Sequence, residues 1–276
     1  MKSLPKTITG LILAALISAQ TAGGAEQISD YGQKKIDDFM TLRMNLSLYD
    51  DSDTAAIIAA IDSFDTGSDS LSEEETLIMD NFLLLERYNY LKEDSSNKDM
   101  LRSALKAQKD KCDAWMAGHK KEKPNKWLCV TYADTISCYI SFSLGDVIKY
   151  GLSIKDYYLQ AYGQDDKCSY VLTNLAQWYF WAPKLNGGSR KKAGVYFEQA
   201  AETARTDAER YFADIFLSQY LLETGDRARA AEKLAEAKVC CPGSNYIRLL
   251  ERINADGMSF FEYSRKHSKM EGKPEN

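Results

Sequence analysis

Apolar residues recur at three- and four-residue intervals over long stretches of the chain, while the strict alternation of a half-buried strand is scarce. This pattern predicts helices near 28–48, 53–64, 73–92, 98–118, 126–143, 146–162, 167–182, 189–204, 207–223, 227–240 and 244–264. Local signals punctuate them. Ser72 followed by Glu75 fits a capping box, in which the hydroxyl and the carboxylate each satisfy an orphan amide of the first turn. Gly225-Asp226 supplies a stop and a new N-cap in succession. The loops are short, so successive helices are expected to be antiparallel hairpins stacked in chain order.

One periodicity is longer than a helix. Gly188, Ala193, Phe197 and Ala200 recur as Gly225, Ala230, Leu234 and Ala237. Small residues at these spacings let one helix press closely on another, while Phe197 and Leu234 fill the space between. Pro242 follows where the second unit must stop. A repeat in this size range indicates stacked helical hairpins around one continuous core.

On these residues the chain resembles the tetratricopeptide repeat family. Residues 211–244 carry Leu217, Gly225-Asp226, Ala230, Leu234, Ala237 and Pro242 in the usual register, with Asp214 in place of the early aromatic and Ser218 where glycine is usual. Residues 168–205 resemble the preceding unit through Leu175, Ala176, Tyr179, Gly188, Ala193, Phe197 and Ala200, with an inter-helix turn lengthened by residues 183–187. Residues 131–164 resemble a degenerate third, with Gly145-Asp146 at the turn and Tyr150, Ile154 and Tyr157 in the small and medium positions. The resemblance implies an all-α superhelix of stacked antiparallel hairpins whose first helices line a concave, partner-binding face. Carried over residue by residue, that face is Tyr170, Thr173, Gln177, Phe180 and Trp181 from one unit, and Phe212, Ile215, Gln219 and Leu222 from the next. Such a surface, aromatic and apolar with two amides, suits an amphipathic peptide or a small apolar ligand. The alternative is that Phe180, Trp181 and Phe212 are core, packed on neighbouring helices or on the C-terminal one.

Composition adds a compartment and removes several functions. Lys2 and Lys6, the apolar run from Ile8 to Ile17 and small residues through Ala25 have the layout of a secretory signal peptide, and the run is too short to span a bilayer. A retained anchor is the other reading. The expected organisation is a leader at 1–25, a divergent helical region at 26–125 packed on the same superhelix, a repeat region at 126–264 and a fraying tail at 265–276. With no cysteine near the cleavage region, a lipoprotein is not expected; the mature chain is expected in the periplasm or secreted. The longer Asn186-Gly187-Gly188 turn, the leader and the repeat number also resemble periplasmic tetratricopeptide proteins associated with tripartite (TRAP) solute transporters, whose lipid-anchoring cysteine is missing here. That resemblance implies peripheral association with envelope transporter components.

Six cysteines, Cys112, Cys129, Cys138, Cys168, Cys240 and Cys241, permit disulfides in an exported chain, or are buried free thiols. Cys112 and Cys129 flank the polar loop 119–126 at similar distances, which makes them the expected pair across a hairpin. No Cys-x-x-Cys pair or cysteine–histidine cluster suggests zinc, and the acidic stretch around Asp65 and Asp69 lacks the spacing of a calcium loop. The net charge of −5 and the acid-interrupted basic runs argue against nucleic acid. The two histidines, His119 and His267, stand in charged loop and tail sequences without a flanking nucleophile, and no phosphate-binding glycine loop exists. Neither catalysis, metal nor cofactor is therefore expected. Two readings remain: a non-catalytic scaffold binding a protein partner on the concave face, or a solute-binding accessory of a transporter holding a small apolar or amphipathic molecule.

Overall fold

A computed structural model describes residues 27–50 and 52–271; the expected leader and the last five residues lie outside them, as does the side chain of His267. Twelve α-helices and three short 3-10 turns make up the described residues, with no strand among them. The helices are α1 (Asp30–Leu46), α2 (Thr54–Asp62), α3 (Glu73–Leu91), α4 (Lys98–Gly118), α5 (Lys126–Ile140), α6 (Leu144–Gln164), α7 (Ser169–Trp181), α8 (Arg190–Thr203), α9 (Asp207–Thr224), α10 (Arg227–Cys240), α11 (Asn245–Ala255) and α12 (Phe260–Glu271).

The sequence-derived helices agree with these to within a few residues because their ends are fixed locally. Ser72 accepts from the Glu75 amide at 3.2 Å, and the Glu75 carboxylate accepts from the Ser72 amide at 2.9 Å. Thr206 and Glu209 form a second capping box at the start of α9. Gly225 ends α9 at φ +94°, a conformation that favours glycine. One expectation fails: 244–264 is two helices, not one. Gly257 at φ +77° breaks the chain there, and Ser259 starts α12 by accepting from the Glu262 amide at 3.0 Å. The helix then runs on to Glu271, where a fraying tail was expected.

The hairpins α5–α6, α7–α8 and α9–α10 are tightly packed antiparallel pairs, and α3–α4 stacks on α5 ahead of them. Ala193, Phe197, Ala200, Ala230, Leu234 and Ala237 are all buried, as the repeat requires. What the repeat does not foretell is the course of α1. Its stripe Ile36, Phe39, Met40 and Met44 faces inward, and the helix packs on both α3 and α9. It begins beside the first turn of α3, where Glu75 also accepts from the Ser29 amide at 2.7 Å. It ends at the α10–α11 junction, where the Ser47 carbonyl accepts from the Asn245 amide at 2.7 Å. The N-terminal helix therefore crosses the inside of the superhelix and ties its first hairpin to its last.

Candidate functional site

Beside the C-terminal half of α1, with Phe39, Arg43 and Leu46 in the lining, the concave side stays open as a cleft of about 850 Å³. Its α7 wall carries Tyr170, Asn174, Gln177, Trp178 and Trp181, the successive positions of one helical face. From α9 come Tyr211, Phe212 and Phe216, and from α6 Val147, Gly151, Ile154 and Tyr158. Pro183 and Asn186 of the lengthened turn form part of the mouth. That turn depends on Gly188: a Cβ there would meet the Ala182 carbonyl oxygen at 1.8 Å.

Of the nine residues expected on this face, Tyr170, Gln177, Trp181 and Phe212 line the cleft. The other five do not, because the inward faces of α7 and α9 are rotated by about one position from the family register. Thr173, Phe180 and Ile215 are buried between helices. The Phe180 ring lies 4.4 Å from that of Phe261 on α12, one of the core packings weighed from the sequence. Gln219 is fully buried and accepts from the Phe260 amide at 2.8 Å, so it seats α12 rather than a ligand. Leu222 is half-buried against the core. Trp181, by contrast, is 44% exposed at the mouth.

At the floor lies a charged cluster that the repeat register does not reveal. Arg43 of α1 donates from Nε to Glu86 of α3 at 2.9 Å, and its guanidinium sits 4.5 Å from the centre of the Phe212 ring. Asp134 of α5 accepts from the Tyr158 hydroxyl on one oxygen and from the Tyr170 hydroxyl at 3.1 Å on the other. Burial pushes the Asp134 carboxyl up to about 6, against the opposing pull of the two tyrosines and Arg43. Burial also raises Glu86, with Arg43 pulling the other way. The Arg43 guanidinium has its own pKa lowered by burial and raised by Glu86, Tyr170 and Asp134; the sum is upward, so it is a fixed cation. Five helices, α1, α3, α5, α6 and α7, thus contribute one side chain each to a single polar knot, and α9 adds the Phe212 ring against it.

These residues left a trace in the sequence. Arg43 falls on the apolar stripe of α1, seven positions after Ile36, where a solvated cation does not belong. Asp134 is the only acidic residue of α5, in an otherwise apolar run. A charge on a buried face must find a partner, so it marks where other helices bring polar groups inward.

The expected cysteine pair is not formed: all six thiols are free. The α4–α5 hairpin exists, but Cys112 turns toward Asn81 of α3, 3.6 Å away, whereas Cys129 turns toward Pro124 and Gln160 of α6. Burial pushes both thiols up to about 12, which keeps them protonated and poorly nucleophilic. His119, at the end of α4, stacks on Trp115 with ring centres 4.3 Å apart.

Neither a protein-family model nor a curated protein sequence matches this chain.

Proposed function

We propose that this is a non-catalytic solute-binding protein of the tetratricopeptide type, which holds a small amphipathic molecule with its apolar body toward Trp178, Trp181 and Phe216 and its polar end toward the Arg43–Glu86–Asp134 floor. One observation carries this reading. The chain's own α1 occupies the inside of the superhelix, so the remaining opening has the volume of a small-molecule site instead of the length of a peptide groove. The TRAP-associated resemblance agrees with it, and export by the leader at 1–25 would put such a carrier in the periplasm or outside the cell. The departure from that class, the absent lipid-anchoring cysteine, makes any contact with transporter components a peripheral, protein-mediated one.

The scaffold reading places a protein partner on the concave face; the surface that favours such a partner lies beside the cleft. Ile148 and Leu152 of α6 are 77% and 67% exposed, beside Val147 and Gly151 at the cleft mouth. An apolar patch of that kind favours a docked protein partner. Native mass spectrometry of the protein purified gently from its own host separates the two. A small co-purifying mass lost on Trp181→Ala is the expected result. A stoichiometric polypeptide lost on Ile148→Asp but retained on Trp181→Ala would instead favour the scaffold.

A further inference from the structure

Resting on the reading of the cleft as a small-molecule site, we propose that its ligand is a cationic amphiphile, an organic ammonium with an apolar body, whose charge is received by the carboxylate of Asp134. The lining holds three carboxylates, Glu86, Glu93 and Asp134, against two cations, Arg43 and Lys92. Lys92 and Glu93 are exposed, so the depth of the cleft is decided by Arg43, Glu86 and Asp134. Arg43 is already committed: Glu86 takes its Nε and Phe212 stacks beneath it. An anionic head group would have to share Arg43 with Glu86 and face the Asp134 carboxylate beside it, an expensive arrangement away from water. Asp134 is in the opposite condition. A carboxylate has about four acceptor sites, and Tyr158 and Tyr170 fill two. Among the described residues no cation lies within ion-pair distance of it, Arg43 acting on it only from farther off, and an ammonium supplies a direct partner. The rings of Tyr170, Trp178 and Phe216 line the same space and receive a cation and its alkyl body equally well.

This arrangement also fixes a pH dependence. The groups facing Asp134 are Tyr158 of α6, Tyr170 of α7, Arg43 of α1, Glu86 of α3 through Arg43, and Cys138 on its own helix. Of these only Glu86 is also a carboxylate, and burial raises it in the same direction. Protonation near pH 6 therefore removes the charge that receives the ligand.

Octylamine, octanoate and octanol, matched in length and differing in head group, are the probes, with calorimetry and the quenching of tryptophan fluorescence as readouts. The expected result at pH 7.5 is octylamine binding about tenfold or more tighter than octanoate, as a charge-assisted contact implies. Asp134→Asn, checked for folding by circular dichroism, abolishes that preference, octylamine falling to the level of octanol. In the unaltered protein, lowering the pH from 7.5 to 5 weakens octylamine and not octanol, which tests the claim even if the variant fails to fold. Octanoate binding as tightly as octylamine, or a preference that survives Asp134→Asn, would overturn the inference while leaving the cleft a ligand site. Failure of all three to bind would remove both the inference and the reading beneath it.

Discussion

Asp134 is held in a place that costs the folded protein stability at neutral pH. Its ordinary value of 3.8 is raised to about 6 in the native state, so between those two pH values the native chain binds a proton that the unfolded chain has released. Stability from this group is greatest below 3.8, declines as pH rises through the window, and the penalty is complete above about 6. Asp214, buried on α9 and raised to about 6 by burial against the pull of Lys233, acts in the same direction. Glu75 and Glu223 act oppositely. Burial works to raise them, but hydrogen bonds from Ser29 and Ser72 to Glu75, and from Ser259 and Arg265 to Glu223, outweigh it and hold both below the usual range. Their contribution is lost only in stronger acid. Asp134→Asn is thus expected to melt at or above the temperature of the parent protein at pH 7.5, and to lose that advantage at pH 4; a variant markedly less stable at pH 7.5 would show that the carboxylate is structural. Among these residues the sequence exposed Glu75, whose role is set within three positions by Ser72. It did not expose the partners of Asp134, which come from helices 24 and 36 residues away.

At the scale of the helix, the alanines of the repeat are what permit close approach. Ala193 is fully buried where α8 meets its neighbours, and Ala230 is its counterpart on α10. Either change to leucine, Ala193→Leu or Ala230→Leu, inserts three carbons into a filled interface and is expected to cost about 1–3 kcal/mol in chemical denaturation. Unchanged midpoints in both would mean that the 37-residue correspondence is accidental. The helices themselves were readable because caps and turns are local chemistry. The inward face was readable only to within a position. A face is set by which neighbour a helix leans on, and α12, seated by Gln219 and Glu223, draws the adjoining side of α9 into the core. The division at Gly257 had a local sign in Asp256-Gly257, but the apolar periodicity on either side continues across it.

For the molecule as a whole, α1 changes the kind of object the repeats make. An open array of hairpins is held by neighbour-to-neighbour contacts, and its ends open independently. Here α1 bridges the first hairpin and the last, and one apolar core runs from Ile36 to Phe261. Phe39→Ala removes a ring that is 1% exposed and lies 5.0 Å from the ring of Phe82 of α3, a loss of about 3–5 kcal/mol. Hydrogen exchange is expected to rise in α9 as well as in α1 and α3, because the bridge fails at both ends together. Faster exchange confined to α1–α3 would show the array to be open after all. Nothing in the repeat announced this closure. The amphipathic stripe of α1 says that one face is covered, and only the curvature of the finished superhelix says by what.

The same bridge sets an order of events for the growing chain. Ser47 meets Cys241 across 194 residues of sequence, so α1 cannot be fully seated until α10 has been made. Until α9 and α10 exist, Ile36, Phe39, Met40 and Met44 have only the earlier elements, chiefly α2, Phe64 and α3, to lean on, and part of their apolar face waits in water. A nascent chain in that condition is exposed to aggregation until α9 and α10 are made, and it would be a natural client for a holding chaperone until then.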